Sequence, residues 1–251
     1  MQKTDKPACL LIHGFTSSPR EMNNLGEFLR SKGYVVRVPT LPGHDSQPAA
    51  LFETKSEDWL RAVEQAYQEL AAEHSPIFAI GESMGAALAL HVAANFPVKG
   101  VVALAPALRL SLWRKVAVHT LSSIIKWQTK RNGPDVRDKS LIDQLRSYNS
   151  FPTASVKELL KTMRYVRDEL HRVTAPLLIM HGKHDQTMSA INVDVLCEEV
   201  GSIEIKTVFL ENSSHILTLD YDHKEVFETV LNFIQGHASE TKSMTTENKR
   251  S

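Results

Sequence analysis

Ser83 lies in the pentapeptide Gly81-Glu82-Ser83-Met84-Gly85, between the apolar run Ile77-Phe78-Ala79-Ile80 and a small-residue helical pattern running from Met84 to Phe96. A G-x-S-x-G sequence at a strand-to-helix reversal reads as a nucleophile elbow. Without Cβ atoms at Gly81 and Gly85, strand and helix can approach closely enough to hold Ser83 outward on a strained backbone. A serine hydroxyl is a weak nucleophile until a base accepts its proton, and that base needs an acid to fix its tautomer. Of eleven histidines, two downstream regions place one at a strand end with an acid nearby: His181-Gly182-Lys183-His184-Asp185 and Ser213-Ser214-His215. With an elbow of this type the chain order is serine, acid, histidine, which assigns Ser83 as nucleophile, Asp185 as orienter and His215 as general base and acid. Glu211, Asp220 and Asp222 flank His215 as rival acids, but Asp220 and Asp222 begin a helix and read as cap residues. His181, His184 and Asp185 together invite a metal-site reading; no fourth ligand is evident, so strand-end packing is preferred and no metal is expected.

Acyl transfer also needs donors where negative charge develops. The backbone N–H of Met84, directly after the nucleophile, is one expected donor, and Phe15, in the loop after the first strand, is the other. The side chain of Phe15 would add an apolar wall.

These residues require a particular scaffold. Continuous apolar runs at Ala8 to His13, Tyr34 to Val38, Ile77 to Ile80, Val98 to Leu104 and Pro176 to Met180, with a more alternating one at Ile203 to Leu210, read as strands of a parallel sheet, the last at an edge. Between them, Ser18-Pro19-Arg20-Glu21 reads as a capping box before a helix through Met22, Leu25 and Leu29, and Ser56 as the cap of a helix through Leu60, Val63, Tyr67 and Leu70. Ala190 to Val200 and Asp222 to Ile234 complete the helices. The βα rhythm breaks between Pro106 and Ala175, where two helical faces, Trp113 to Ile124 and Val156 to Val166, joined by the polar stretch Thr129 to Lys139, predict a small helical cap. Strand-helix alternation implies an α/β fold with its functional groups at the carboxyl ends of the strands. Residues 1–236 are expected to form one domain, and the polar tail His237 to Ser251 to be disordered.

Lys plus Arg and Asp plus Glu each number 29 among 251 residues, so the formal net charge is zero and no long-range field favours nucleic acid or anionic lipid. A neutral or apolar small molecule fits better. Cys9 and Cys197 are too few for a disulfide framework and are expected to be buried, reduced thiols. Met1 to Lys6 carries no apolar h-region and no stretch is long enough to span a bilayer, so a cytoplasmic chain without membrane insertion is expected.

Taken together, His13-Gly14-Phe15-Thr16, Gly33-Tyr34, Pro42-Gly43-His44, the pentapeptide around Ser83, His181-Gly182 with Asp185, and His215 with Asp220 resemble the α/β-hydrolase superfamily. The likeness is nearest to its compact bacterial carboxylesterase and monoacylglycerol lipase branch and runs from about Ala8 to Ile234. The resemblance implies a mostly parallel sheet flanked by helices, hydrolysis of carboxylic esters with apolar acyl groups, and no cofactor. It places nucleophile, acid and histidine on Ser83, Asp185 and His215, and the oxyanion donors on Phe15 and Met84. With no strand pair before Ala8, six strands are expected instead of the superfamily's eight. Glu82 departs from the pattern as a charged residue inside the elbow, where a solvated or hydrogen-bonded structural role is expected. The insertion would choose the acyl chain, with Trp113, Leu121, Ile124, Leu160 and Met163 as candidate substrate-lining residues. An acyltransferase, thioesterase or carbon-carbon bond hydrolase would use the same three residues, and a ligand receptor would use the fold without the chemistry.

Overall fold

The structure is a computed structural model that describes residues 4, 6–44, 46–110, 125–130 and 133–238. Its centre is a six-stranded, all-parallel sheet of β1 (Ala8–Ile12), β2 (Val35–Arg37), β3 (Ile77–Glu82), β4 (Gly100–Leu104), β7 (Leu177–Gly182) and β8 (Ile205–Leu210), in the order β2-β1-β3-β4-β7-β8. Side chains of a strand alternate between faces, and here both faces are covered. Ala8, Leu10 and Ile12 of β1 pack in one core, whereas Cys9 and Leu11 pack in the other. The first core also takes α2 (Ser56–Glu73), α3 (Met84–Asn95), α4 (Thr153–Glu169) and α5 (Ile191–Glu199); the second takes α1 (Asn23–Ser31) and α6 (His223–Ala238). Strand β8 is an edge, and its consecutive Lys206 and Thr207, which point to opposite faces, are both exposed, as an edge strand allows.

Several local expectations are corrected. Ser18 does not cap: Pro19–Met22 is a separate 3-10 turn with no side-chain cap bond, and Glu21 is buried, used elsewhere. Ser56 is the first residue of α2, not its cap, and the Asp58 carboxylate accepts the Lys55 N–H at 2.9 Å instead. Cys197 lies exposed on α5, while Cys9 is buried and its thiol pKa is raised by that burial. Helix α6 continues through His237 to Ala238, where expectation had a disordered tail; His237 Nδ1 donates to Phe233 O at 2.7 Å and Nε2 meets Glu204 Oε1 at 2.8 Å. The rest of the tail, residues 239–251, lies outside the described residues.

The insertion after β4 carries more than helix. An antiparallel ribbon pairs β5 (Trp127–Thr129) with β6 (Ser150–Pro152) ahead of α4. The segment from Trp113 to Ile124 lies outside the described residues. Asn192 anchors the start of the insertion, its Oδ1 accepting the Leu108 and Arg109 N–H groups at 3.0 and 2.6 Å. Among the described residues no helix is long and apolar enough to cross a membrane.

Candidate active site

Three strand ends and one returning loop assemble the site. Strand β3 runs to Glu82 and α3 begins at Met84, leaving Ser83 alone at the reversal with φ 57° and ψ −116°. That left-handed φ is unfavourable for a residue with a Cβ and persists where the surroundings over-determine it. They do so here. A Cβ at Gly81 would overlap the Gly85 carbonyl, and one at Gly85 would overlap the Ile12 carbonyl, so strand and helix touch backbone to backbone on both sides of Ser83. The Ser83 N–H is held by Leu104 O of the neighbouring strand at 2.8 Å.

Asp185 follows β7 and His215 follows β8, and the loop to His215 folds back over the end of β7 toward β3. The structure thus brings together the three residues that the sequence spacing singles out. Ser83 Oγ lies 2.8 Å from His215 Nε2, and His215 Nδ1 lies 2.8 Å from Asp185 Oδ2. Because a carboxylate only accepts, Nδ1 carries the proton and Nε2 is free to accept from the serine hydroxyl. The side chain of Asp185 is fully buried, and its Oδ1 accepts the Thr187 and Met188 N–H groups at 2.8 Å each. Burial opposes its charge, but His215 and these donors outweigh that and hold its pKa below the ordinary carboxylate value. Burial likewise opposes a charged His215, yet the adjacent Asp185 raises its pKa above 6.5.

The rival residues are elsewhere. Asp220 is buried and accepts four backbone N–H groups, from Arg137, Asp138, Ser214 and Tyr221 at 2.8 to 3.0 Å, so its carboxylate joins the insertion to the histidine loop and caps no helix. Asp222 is spent on Asn212 and Ser213, and Glu211 pairs with Lys183 on the surface. His184 is exposed, while His181 is buried with Nε2 3.7 Å from Asp185 Oδ2. Burial, ahead of the opposing pull of Asp185, lowers the His181 pKa, as a packed neutral imidazole requires.

On the other side of Ser83, Met84 is the first residue of α3, whose leading N–H groups have no partner within the helix. The Phe15 N–H has no hydrogen bond among the described residues. Its loop is braced on both flanks. Gly14 N–H donates to Glu21 Oε1 at 2.7 Å, and Thr16 N–H to His44 Nε2 at 3.1 Å. His44 Nδ1 donates to Pro42 O, and His13 bridges Gly14 O and Leu41 N. Burial lowers both imidazoles, to about 3 for His13 and about 4 for His44, so they brace the loop as neutral rings.

The cavity over Ser83 has a volume of about 370 Å³. Phe15, Phe151, Leu159, Met188 and Ile216 form apolar wall, with Phe15 and Phe151 in edge contact at 5.6 Å between centroids. Glu21, Lys130, Asp135 and Ser147 add polar groups to the lining. The expected lining is corrected: Leu160 and Met163 border a different cavity of about 680 Å³ beside Leu108 and Leu110, Leu160 because it points about 100° round α4 from Leu159, and Met163 because it lies one turn further along the Leu159 face. Trp113, Leu121 and Ile124 lie outside the described residues.

Asp135 and Glu21 were not read from the sequence as contributors, whereas Glu82 has the hydrogen-bonded role expected of it. Asp135, in a polar stretch with no periodicity, accepts the Gln186 N–H and the Thr187 hydroxyl through Oδ2, and its carbonyl accepts from His215 and Ile216, so it braces the acid and histidine loops at once. Glu21 follows a serine at capping-box spacing, a pattern equally compatible with its real use. Glu82, fully buried, accepts the Leu217 and Thr218 N–H groups on Oε1 and lies 2.6 Å from Thr218 Oγ1 through Oε2. Burial, then the neighbouring Glu21, raises the Glu82 pKa to about 8, and burial also raises that of Glu21. Lys130, donating to Ser147 Oγ at 2.7 Å, is lowered by burial to about 8.

Residues 3–222 match a family described as serine aminopeptidase, S33. The chain is 32% identical to a thermostable monoacylglycerol lipase from Bacillus sp. strain H-257, over 91% of this chain and 90% of the relative. It is 25% identical to a carboxylesterase from Bacillus subtilis strain 168, over 91% and 92%. Among solved structures, a protein reported with the metagenome-derived lipolytic enzymes LipS and LipT superimposes with a TM-score of 0.87 at 29% identity, covering 94% of this chain and 96% of that one. A monoacylglycerol lipase from Paleococcus ferrophilus shares the fold, with a TM-score of 0.75 at 18% identity and 94% and 98% covered. With the match spanning the sheet, the elbow and both loops that return to it, the chain belongs to the serine aminopeptidase S33 family, within the α/β-hydrolase superfamily.

Proposed function

We propose that this serine ester hydrolase works through an acyl-enzyme on Ser83 and acts on small or monoacylglycerol-like esters with an apolar acyl group. One observation carries the reading: Ser83 Oγ, His215 Nε2 and His215 Nδ1, Asp185 Oδ2 form two consecutive 2.8 Å contacts at the mouth of a partly apolar cavity. His215 takes the Ser83 proton as the hydroxyl oxygen attacks the ester carbonyl, and the oxygen that becomes negative is received by the N–H groups of Phe15 and Met84. Collapse of the tetrahedral intermediate expels the alcohol, protonated by His215. The same base then activates water, and the acid departs. Asp185 stays ionised throughout and holds the imidazole in the tautomer required. The apolar lining suits an acyl chain and the polar lining groups an alcohol with free hydroxyls, in keeping with the lipase and carboxylesterase relatives.

A panel of p-nitrophenyl esters and monoacylglycerols graded by acyl length, with an aminoacyl arylamide and an added alcohol acceptor, tests this. Esters should be cleaved with kcat/KM peaking at the chain length that fills the cavity, and the arylamide should be far slower. Preferred arylamide cleavage, or acyl transfer to the alcohol outrunning hydrolysis, would overturn it.

A further inference from the structure

Glu82 occupies the elbow position before the nucleophile, where its carboxyl is fully buried between two elements of the site. Its Oε1 accepts N–H groups from Leu217 and Thr218, the two residues that follow His215 and Ile216. Its Oε2 lies 2.6 Å from Thr218 Oγ1, and that same hydroxyl oxygen lies 3.1 Å from the carbonyl oxygen of Glu21. Thr218 has one hydroxyl hydrogen and two oxygens to satisfy. If Glu82 is ionised, the hydrogen serves Glu82 and the Glu21 carbonyl receives none from Thr218. If Glu82 carries a proton, Oε2–H donates to Thr218 Oγ1, Thr218 donates to Glu21 O, and both contacts are made.

We propose that Glu82 is a positioning residue working as a neutral carboxylic acid: Oε1 pins the turn behind His215, and its proton feeds a relay through Thr218 Oγ1 to the Glu21 carbonyl. The electrostatics of the surrounding groups agree. The charged or titratable groups facing this corner are Glu21, His215 and, beyond them, Lys130, Asp135 and Asp185. Both acids face His215, but Glu21 also faces Lys130, and its charge is what raises the Glu82 pKa after burial, so of the two acids Glu21 is the one placed to hold a charge. A second charge on Glu82 would repel Glu21 in a buried site and would oppose the oxyanion that must form beside Ser83. A neutral acid avoids both penalties while tying the nucleophile elbow to the histidine loop. Through Thr218 and Glu21 it is also tied to the Gly14–Phe15 loop, so one proton links the three segments that must stay in register.

This inference rests on Ser83 and His215 acting as proposed, so its test has one arm that needs no turnover. In the Ser83→Ala protein, infrared difference spectra should show a protonated-carboxyl C=O band that fades above about pH 8 and is missing when Glu82→Gln is added. In the otherwise native protein, Glu82→Ala should lower kcat about 10²-fold, the scale expected when a catalytic group is displaced by about 1 Å. Glu82→Gln, which keeps the Oε1 acceptor and supplies an N–H toward Thr218, should recover most of that loss and abolish the alkaline fall in activity. Since Lys130 also titrates near 8, the alkaline limb is assigned by its loss in Glu82→Gln and not by its position. The inference is overturned if no such band exists, if Glu82→Gln is as impaired as Glu82→Ala, or if the alkaline limb survives in Glu82→Gln.

Discussion

At the scale of single residues, the chemistry depends on where His215 titrates. Burial alone would lower its pKa, yet Asp185 at 2.8 Å more than compensates, and the value lies above 6.5. Catalysis needs the neutral imidazole, so kcat/KM should rise with pH through a midpoint above 6.5. For stability the sign is opposite. A raised pKa in the folded state contributes stability below the unfolded value that is lost as pH climbs through the folded one. Asp185→Asn should lower kcat by about 10⁴-fold, by spoiling the tautomer, and move the acid limb of the pH profile to lower pH; a full pH series of kcat/KM on the variant checks both. That Ser83, Asp185 and His215 come together was legible because a candidate nucleophile, acid and base must follow strand ends, and few residues of those types do. Glu21 was not legible, since Ser18-Pro19-Arg20-Glu21 has the same spacing whether the carboxylate caps a helix or holds the Gly14 amide.

At the scale of elements, the elbow depends on two backbones in contact. Gly85→Ala would drive a Cβ into the Ile12 carbonyl, which is main chain and cannot swing aside. We expect a loss of more than about 4 kcal/mol in stability, the range reserved for severe core defects, seen as a lower urea midpoint or a failure to yield folded protein. The core strands were readable from their apolar runs because a parallel sheet covered on both faces leaves little room for polar side chains. The β5–β6 ribbon was not, since three-residue strands are too short to show a period and Pro152 argues against one. The extension of α6 to Ala238 was also missed. A glycine at 236 reads as a stop, yet side-chain bonds of His237 to Phe233 and Glu204 carry the helix beyond it.

At the scale of the molecule, the site is shared between the sheet and the insertion. Asp135, Asp220 and Tyr148, whose N–H donates to Thr16 O at 2.7 Å, bind the insertion to the loops of Asp185, His215 and Phe15 in turn. The insertion, which lines part of the cavity over Ser83, therefore also braces the loops that carry Asp185, His215 and Phe15. Its contribution to the cavity was hardest to read. Helical periodicity shows which face of α4 is apolar but not what that face meets, and neighbouring positions point about 100° apart. Leu159 thus reaches the cavity of Ser83, while Leu160 borders another. In the proposed mechanism Ser83 becomes acylated. Rapid-quench mass spectrometry with a slowly deacylating p-nitrophenyl ester should find one acyl group on the peptide containing Ser83, absent from Ser83→Ala, whose turnover should fall at least about 10³-fold with the fold intact. Turnover by Ser83→Ala at the native rate, or acylation at another residue, would contradict the account.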